Sequence, residues 1–298
     1  TDSKMLRAHV ESGADVTVGV VDLPKEEGRH FGVLELDAKD RIVGFEEKPL
    51  HPKALPDRPD LICASMGIYI FSLNTLYDEL IPDAGKESEH DFGKNILPQM
   101  LGRRELLAYH FVDENLKEEP YWRDIGTLDA YYEANMDLVS VSPQFNLYDQ
   151  RWPIRTYQPQ LPPVKMVFAD PGEGARRGEA LDSIMSTGCV ISGGSVTRSV
   201  LSAQVRVNSY ASVEDSVLMD GVDIGRRARV KKAIIDKYVD ILPGTTIGYD
   251  LEEDRKRFHV TDSGIVVIPK GRIISPDEDR PRWEDHSRPR PAGPAQGS

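Results

Sequence analysis

Apolar and polar positions in the first part of the chain alternate between a helical and a strand period. The opening residues place apolar side chains on one helical face, and Gly13 can end that helix. The run VTVGVVDL at 16–23 predicts a strand, and FGVLELD followed by RIVGF predicts a hairpin. Further strands are expected at 65–71 and 106–112. This alternation predicts a layered α/β domain over residues 1–141.

The predicted domain closes with the segment YWRDIGTLDAYYEANMDLV. Thr127 can cap a helix whose apolar residues fall on one stripe, so residues 122–126 form the loop that enters it. Residues 142–181 are rich in proline, which is unfavourable to helices and central strands. We therefore expect an extended linker over 142–181.

From Asp182 the pattern changes to four windows of 17 residues that superpose. Aliphatic residues recur about every six positions, which is typical of a parallel β-helix with inward side chains stacked in columns. A repeat of 17 rather than 18 predicts one shortened corner, and Gly193-Gly194 is interpreted as a corner turn. The predicted columns are Ile184, Leu201, Leu218 and Ile235; Val190, Val207, Ile224 and Ile241; and Val196, Val213, Val230 and Ile247.

These columns predict a β-helix domain over residues 182–271. The remaining residues, 272–298, are rich in Pro, Arg and Asp and are predicted to be largely disordered.

Composition excludes several functional classes. The net charge of -12 argues against nucleic acid or an anionic membrane surface as the main partner, because both favour a basic face. Cys63 and Cys189 lie in apolar or small-residue runs and are interpreted as buried free thiols of a cytoplasmic protein. The histidines lack the HxH and HExxH spacings that place two imidazoles on one metal.

Two short segments are candidates for chemistry. In FEEKP, Lys48 can bind a phosphate and Glu47 can accept hydrogen bonds from hydroxyls, with Pro49 fixing the backbone. A solvated strand end is the alternative reading. In WRDIGT, Asp124 can hold a cation, because Thr127 already supplies the helix cap. A phosphate-binding lysine and two carboxylates are what a sugar-phosphate nucleotidyltransferase needs.

Four motifs carry a resemblance to a known family. FEEKP (45–49), ASMGIYIF (64–71), HDFGKNILP (90–98) and YWRDIGTLDAYYEANMDL (121–138), followed by a hexapeptide-type β-helix, resemble the bacterial ADP-glucose pyrophosphorylases, or glucose-1-phosphate adenylyltransferases. The resemblance covers residues 1–271. It implies an α/β fold, with a partial Rossmann-like nucleotidyltransferase domain and a left-handed parallel β-helix. It also implies transfer of AMP from ATP to glucose 1-phosphate in glycogen synthesis.

The resemblance also implies roles for individual residues. Lys48 would bind the phosphate of glucose 1-phosphate, and Glu47 would meet the sugar hydroxyls. Ser65 and Tyr69 would line the sugar pocket; as residues four apart on a strand, they can equally be packing. Asp124 would bind Mg²⁺ and act in catalysis.

Further pocket positions matched by the resemblance are Asp91, Phe92 and Trp122, although Trp122 can equally be core. The β-helix of the family mediates subunit contacts, which implies a homotetramer, and effectors bind between the domains. Lys270 lies near an activator lysine of plant relatives, in an offset local pattern. The basic run from Arg226 to Lys232 is interpreted as solvated corners.

One part of the family pattern is absent from this sequence. The Gly-rich GGxGxRL loop that cradles nucleotide phosphates and the second metal-binding Asp are not found, and GEGARRG and ISGG stand in the wrong context. We therefore expect a chain that lacks its N-terminal nucleotide-binding segment, binds ATP poorly and shows no turnover alone.

Three alternatives remain. The chain can be a catalytically silent regulatory or structural subunit of the same enzyme, or it can act on another sugar 1-phosphate. An acyltransferase is disfavoured because residues 182–249 contain no histidine. The enzymatic interpretation requires Lys48 and Asp124 to converge on one cleft.

Overall fold

The structure is a computed structural model that describes residues 2–111, 121–150, 153–167, 169–170, 172, 176–277 and 279–281. It divides into two compact units, Thr1–Trp122 and Arg123–Ser298. The helix expected at the end of the first domain therefore groups with the second unit. No helix in the described part of the chain has both the length and the apolar character needed to cross a bilayer.

The first unit is a mixed sheet with helices. Among its described residues, five strands lie in the order β3-β2-β4-β1-β5, with β5 parallel to β1 and the other neighbours antiparallel. Its elements are α1 (Asp2–Ser12), β1 (Val16–Pro24), a 3-10 helix (Lys25–His30), β2 (Gly32–Leu36), β3 (Ile42–Glu47), β4 (Leu61–Phe71), α2 (Leu73–Ala84), a π-helical turn (Phe92–Ile96), α3 (Leu97–Met100) and β5 (Leu106–His110).

Strand β4 contains an irregularity that matters for the site. Val18 pairs with Tyr69 and Val20 pairs with Ser65, so a step of two residues along β1 corresponds to a step of four residues along β4. Gly67 absorbs the extra length in a left-handed conformation with φ +69°, which glycine adopts at little cost. Ser65 and Tyr69 consequently pair with residues on one face of the sheet, as predicted from their spacing.

Among its described residues, the second unit contains one helix before the β-helix and one between strands of the β-helix. Its elements are α4 (Leu128–Asp137), β6 (Lys165–Val167), β7 (Glu179–Leu181), β8 (Ile184–Met185), β9 (Val190–Ser192), β10 (Ser195–Thr197), β11 (Val200–Leu201), β12 (Arg206–Val207), β13 (Ser212–Glu214), β14 (Val217–Leu218), β15 (Asp223–Ile224), β16 (Arg229–Lys231), β17 (Ala233–Ile235), β18 (Asp240–Ile241), β19 (Thr246–Ile247), α5 (Leu251–Arg257), β20 (His259–Val260), β21 (Val266–Ile268), β22 (Arg272–Ile274) and β23 (Asp279–Pro281).

The strands of this unit build a parallel β-helix, as the repeat predicted. Its described residues form three sheets, in the orders β19-β16-β13-β10-β7, β20-β21-β17-β14-β11-β8 and β23-β22-β18-β15-β12-β9-β6. Inward residues stack as predicted in the later coils: Leu218 pairs with Leu201 and Ile235, and all three are fully buried. Val213 and Leu218 are five apart, which identifies the shortened corner.

The first coil differs from the predicted register. Met185 rather than Ile184 pairs with Leu201, and Ile191 rather than Val190 pairs with Val207. Ile191 is fully buried. Each predicted residue has an aliphatic neighbour, so the sequence pattern alone does not distinguish the two registers.

Corner residues adopt left-handed backbone conformations at regular intervals. One corner column consists of Arg198, Asp215 and Lys232, with φ between 44° and 47°. The backbone N–H of each donates to a carbonyl of the preceding coil, for example Asp215 to Thr197 at 3.1 Å. Gly193 lies at another corner with φ +73°, which confirms its interpretation as a turn.

The β-helix extends beyond both predicted limits. Upstream, β6 pairs with β9 although its residues were assigned to the linker. Downstream, β22 pairs with β18 and β23 pairs with β22, so the prediction of disorder is wrong for 272–274 and 279–281. The reason is that Ile273 and Ile274 are buried, with Ile274 continuing the column of Ile241. Predicted tail residues 278 and 282–298 lie outside the described residues.

The buried columns predict a large stability effect. Leu218→Ala should lower the free energy of unfolding by about 2–5 kcal/mol, because it leaves a cavity between Leu201 and Ile235. Leu181→Ala is the matched control, since that side chain is 56% exposed on an outward position of β7, and it should cost less than about 0.5 kcal/mol. Denaturant unfolding of the two variants measures both values, and equal losses would contradict the column assignment.

Candidate functional site

The carboxylate of Glu47 lies in a space that two glycines leave open. Glu47 is the last residue of β3 and pairs with Gly32 of β2. A Cβ on Gly32 would lie 2.9 Å from Glu47 Oε2, and a Cβ on Gly93 would lie 2.6 Å from the same oxygen. The glycine of HDFG therefore makes room for the second glutamate of FEEKP.

Lys48 follows directly, in a left-handed conformation with φ +50°. Its backbone N–H donates to the Phe31 carbonyl at 3.0 Å, and its Nζ lies 4.0 Å from Glu47 Oε1. The Lys48 side chain is 59% exposed, whereas that of Glu47 is 23% exposed. The segment thus presents an accessible amine beside a partly desolvated carboxylate.

Ser65 and Tyr69 lie near this carboxylate. The Ser65 hydroxyl is buried and accepts the Gly67 N–H at 3.2 Å. Burial raises the pKa of Tyr69, Ser65 hydrogen bonding opposes this, and Glu47 and Asp91 raise it further. Tyr69 therefore keeps its phenolic proton at neutral pH and can donate a hydrogen bond.

Asp91 and Phe92 approach the same cluster from the π-helical turn. Asp91 Oδ1 accepts the Lys94 N–H at 2.8 Å and so caps the turn. The Phe92 ring centroid is 5.6 Å from that of Tyr69 and 5.5 Å from that of Phe71. The structure therefore brings together six of the predicted site residues: Glu47, Lys48, Ser65, Tyr69, Asp91 and Phe92.

The charges of this cluster are coupled. Burial raises the pKa of Glu47 above the usual value, Lys48 lowers it, Asp91 raises it and Lys94 lowers it. Lys94 hydrogen-bonds the Glu89 carboxylate, which raises the pKa of Lys94, and Asp91 and Glu47 add to this. Lys94 is therefore a second cation whose charge acts on Glu47. Lys94 belongs to the motif HDFGKNILP but was not among the predicted site residues, although a lysine three residues after an aspartate was the available signal.

Trp122 lies in a different part of the first unit. Its ring centroid is 5.0 Å from that of Phe31, and it packs against a cluster that includes Val33 and Ile62. Tyr69 and Phe92 pack against the other core cluster of the unit. Trp122 is linked to the segment FEEKP through Phe31, whose ring it contacts and whose carbonyl accepts the Lys48 N–H.

Asp124 belongs to the second unit, in the loop that enters α4. It is exposed, and its Oδ1 accepts the Gly126 N–H at 3.0 Å. The Thr127 hydroxyl accepts the Ala130 N–H at 3.1 Å, which confirms Thr127 as the helix cap. The convergence of Lys48 and Asp124 stays a prediction.

A metal ion at this site would be held by a single carboxylate of the chain rather than by a cluster of side chains. Among the described residues there is no group of three His, Cys, Asp or Glu side chains that can hold a metal ion. Mg²⁺ is commonly bound by one or two carboxylates together with substrate phosphates, so the exposed carboxylate of Asp124 fits such a shared site.

Cationic residues of the β-helix lie on its surface. Arg226 and Arg227 lie over the Tyr210 ring, at 4.9 and 5.3 Å from its centroid, and Arg229 lies 3.9 Å from that of Tyr249. These contacts are compatible with solvated corners. Lys270 is exposed in the loop between β21 and β22, and its predicted effector role stays a prediction.

Comparison with known proteins gives two matching families. The family described as "Nucleotidyl transferase" matches residues 2–141. The family described as "GlmU-like, C-terminal hexapeptide" matches residues 162–268, in agreement with a β-helix that begins before Asp182.

Individual relatives are named glucose-1-phosphate adenylyltransferase. The protein from Rhodopirellula baltica is 55% identical over 91% of this chain and 61% of its own length. The protein from Koribacter versatilis is 52% identical over 89% of this chain and 64% of its own length. The protein from Anaeromyxobacter sp. is 51% identical over 92% of this chain and 68% of its own length. The chain thus spans about three fifths to two thirds of these relatives, and it belongs to the glucose-1-phosphate adenylyltransferase family.

Proposed function

We propose that this chain binds glucose 1-phosphate and serves transfer of AMP from ATP to it, giving ADP-glucose and pyrophosphate. The observation that carries the proposal is the exposed amine of Lys48 beside the Glu47 carboxylate, held between Gly32 and Gly93. A phosphate and a polyhydroxylated ring need these two groups side by side. Family membership supports the same substrate.

The chemistry is an in-line displacement at phosphorus. A phosphate oxygen of glucose 1-phosphate forms a bond to the α-phosphorus of ATP, and the bond from that phosphorus to the bridging oxygen breaks. Pyrophosphate leaves with the electron pair. The protein contributes mainly position and charge neutralisation.

Each residue of the cluster has a part in binding. Lys48 holds the phosphate as a point charge, and Lys94 adds positive potential at the same carboxylates. Glu47 accepts hydrogen bonds from sugar hydroxyls, which replace the water that its burial removes. Tyr69 and Ser65 offer hydroxyl groups, and the ring of Phe92 offers an apolar wall. Asp91 fixes the turn that carries Phe92, and Trp122 supports Lys48 through Phe31.

Asp124 would hold Mg²⁺ in this proposal. When bound, the ion neutralises charge on the phosphate oxygens. Asp124 presents its carboxylate from a loop fixed by its own bond to Gly126. Assembly as a homotetramer and effector binding at Lys270 stay predictions.

The silent-subunit alternative predicts a different result in the same experiments. A subunit with only structural or regulatory roles has no need to bind glucose 1-phosphate at Lys48. An acyltransferase is not favoured, because residues 182–249 of the β-helix contain no histidine to serve as base.

The first test removes the proposed phosphate ligand. Lys48→Gln should raise the Kd for glucose 1-phosphate by roughly tenfold to a hundredfold, since a hydrogen bond to a charged group is lost. Lys53→Gln is the matched control, because Lys53 is exposed and pairs with Glu35, and its Kd should stay within about twofold of the wild type. Titration calorimetry on the full chain measures both. Absence of binding by the wild type, or equal binding by the two variants, would refute the proposal.

A second test fills the space around Glu47. Gly93→Ala places a Cβ 2.6 Å from Glu47 Oε2, so the flexible carboxylate must move. We expect the Kd for glucose 1-phosphate to rise about tenfold while Tm is not lowered, because the displaced atoms end a side chain. Gly85→Ala is the control, as the nearest atom to its Cβ is 3.8 Å away. A lower Tm with an unchanged Kd would show that Gly93 serves packing alone.

A third test uses the raised pKa of Glu47. Protonation removes the negative charge that attracts sugar hydroxyls, so affinity should fall as pH falls through this pKa, at a higher pH than for an ordinary glutamate. The Glu47→Gln variant should lack this component, and the difference between the two Kd profiles from about pH 5 to about pH 8 isolates it from titration of the ligand phosphate. Parallel profiles would mean that Glu47 does not meet the ligand as a carboxylate.

A further inference from the structure

A cluster of three polar side chains lies directly before the site segment Asp91–Phe92. Asp83, near the end of α2, is buried, and its carboxylate accepts the Ser88 hydroxyl at 3.0 and 3.1 Å. The same carboxylate contacts His90 Nδ1 at 2.7 Å. Because an ionised carboxylate has no proton to donate, Nδ1 carries the proton of this bond. Hydrogen bonding to His90 and Ser88 lowers the pKa of Asp83.

The cluster contains the residue types of a hydrolase triad, but its geometry excludes that chemistry. Ser88 Oγ lies 3.1 Å from Nδ1 of His90, the nitrogen that also faces Asp83. A relay needs the acid on one ring nitrogen and the nucleophile on the other. The Ser88 hydroxyl is further engaged by the His90 backbone N–H at 3.1 Å. The cluster therefore holds the backbone in place rather than activating a nucleophile.

What the cluster holds is an unfavourable backbone conformation. His90 has φ +54°, in the left-handed region that a residue with a Cβ rarely adopts. The next residue is Asp91, whose carboxylate caps the π-helical turn, and Phe92 follows in contact with Tyr69. The bond from His90 to the buried Asp83 thus fixes the direction in which the chain enters the site.

We propose that His90 is a positioning residue for the sugar-phosphate pocket, acting through Asp83 to place Asp91 and Phe92. The inference rests on the proposed function for its ligand, but the placement of the turn can be measured without ligand. His90 itself is more than half exposed and need not touch the substrate.

Two substitutions separate the backbone from the side chain. His90→Gly keeps access to the left-handed conformation but loses the bond to Asp83, whereas His90→Asn tolerates that conformation and offers an amide N–H in place of Nδ1–H. Glu87→Ala is the matched control, because Glu87 is an exposed residue of the same segment. Hydrogen exchange of residues 91–96 and the Kd for glucose 1-phosphate are measured on the full chain, with Tm recorded for each variant.

We expect His90→Gly to accelerate exchange at the Lys94 to Ile96 amides and to raise the Kd about fivefold or more, with His90→Asn and Glu87→Ala within about twofold of the wild type. Unchanged exchange in His90→Gly would overturn the positioning role, whether or not the ligand binds. If the wild type binds glucose 1-phosphate, an unchanged Kd in His90→Gly would also overturn the positioning role. A wild type without affinity for glucose 1-phosphate would refute the proposed function, while the exchange result would still decide the placement of Asp91.

Discussion

The candidate site depends on the desolvation of one carboxylate. Glu47 is drawn into a space bounded by Gly32 and Gly93, where a Cβ at either glycine would be in close contact with its oxygen. Burial removes water from this carboxylate and raises its pKa. A carboxylate in that state gains most from new hydrogen-bond donors, and the hydroxyls of a sugar can supply them. The neighbouring charges of Lys48 and Lys94 lower this pKa and so favour the ionised carboxylate.

Two segments that contribute residues to the candidate site contain a left-handed backbone conformation. Lys48 and His90 are non-glycine residues with φ near +50°, a conformation that costs roughly 1–2 kcal/mol. Each is held by a specific bond, from the Lys48 N–H to the Phe31 carbonyl and from His90 Nδ1 to Asp83. Outliers of this kind persist only where the surroundings determine them, and they cluster at functional sites. In the second unit the same conformation recurs at β-helix corners, so there it reflects the fold.

The sequence predicted those features that depend on local spacing. The columns through Leu218 follow from a period of six residues. The common face of Ser65 and Tyr69 follows from the period of two along a strand, and Thr127 precedes a stripe with the helical period of 3.6. The first β-helix coil was misplaced because adjacent aliphatic residues satisfy either register. The strand that contains Ile273 and Ile274 was not predicted, because the polar composition of the long tail outweighs two aliphatic residues at its start. The space around Glu47 was not predictable, since Gly32 and Gly93 are 61 positions apart and meet only in the folded unit.

The residues proposed to bind the sugar phosphate and the residue proposed to bind the metal ion belong to different units. The cluster around Glu47 and Lys48 lies in the first unit, whereas Asp124 lies in a loop whose helix, α4, is anchored within the second. Tyr132 donates its hydroxyl to the Asp215 carbonyl at 2.6 Å, and burial there raises the pKa of Tyr132 to about 12, so the bond persists across the physiological range. The Thr261 hydroxyl donates to Asp129 at 3.2 Å. In the proposed function, affinity for glucose 1-phosphate therefore reports on the first unit, and the anchoring of α4 determines how firmly the second presents Asp124.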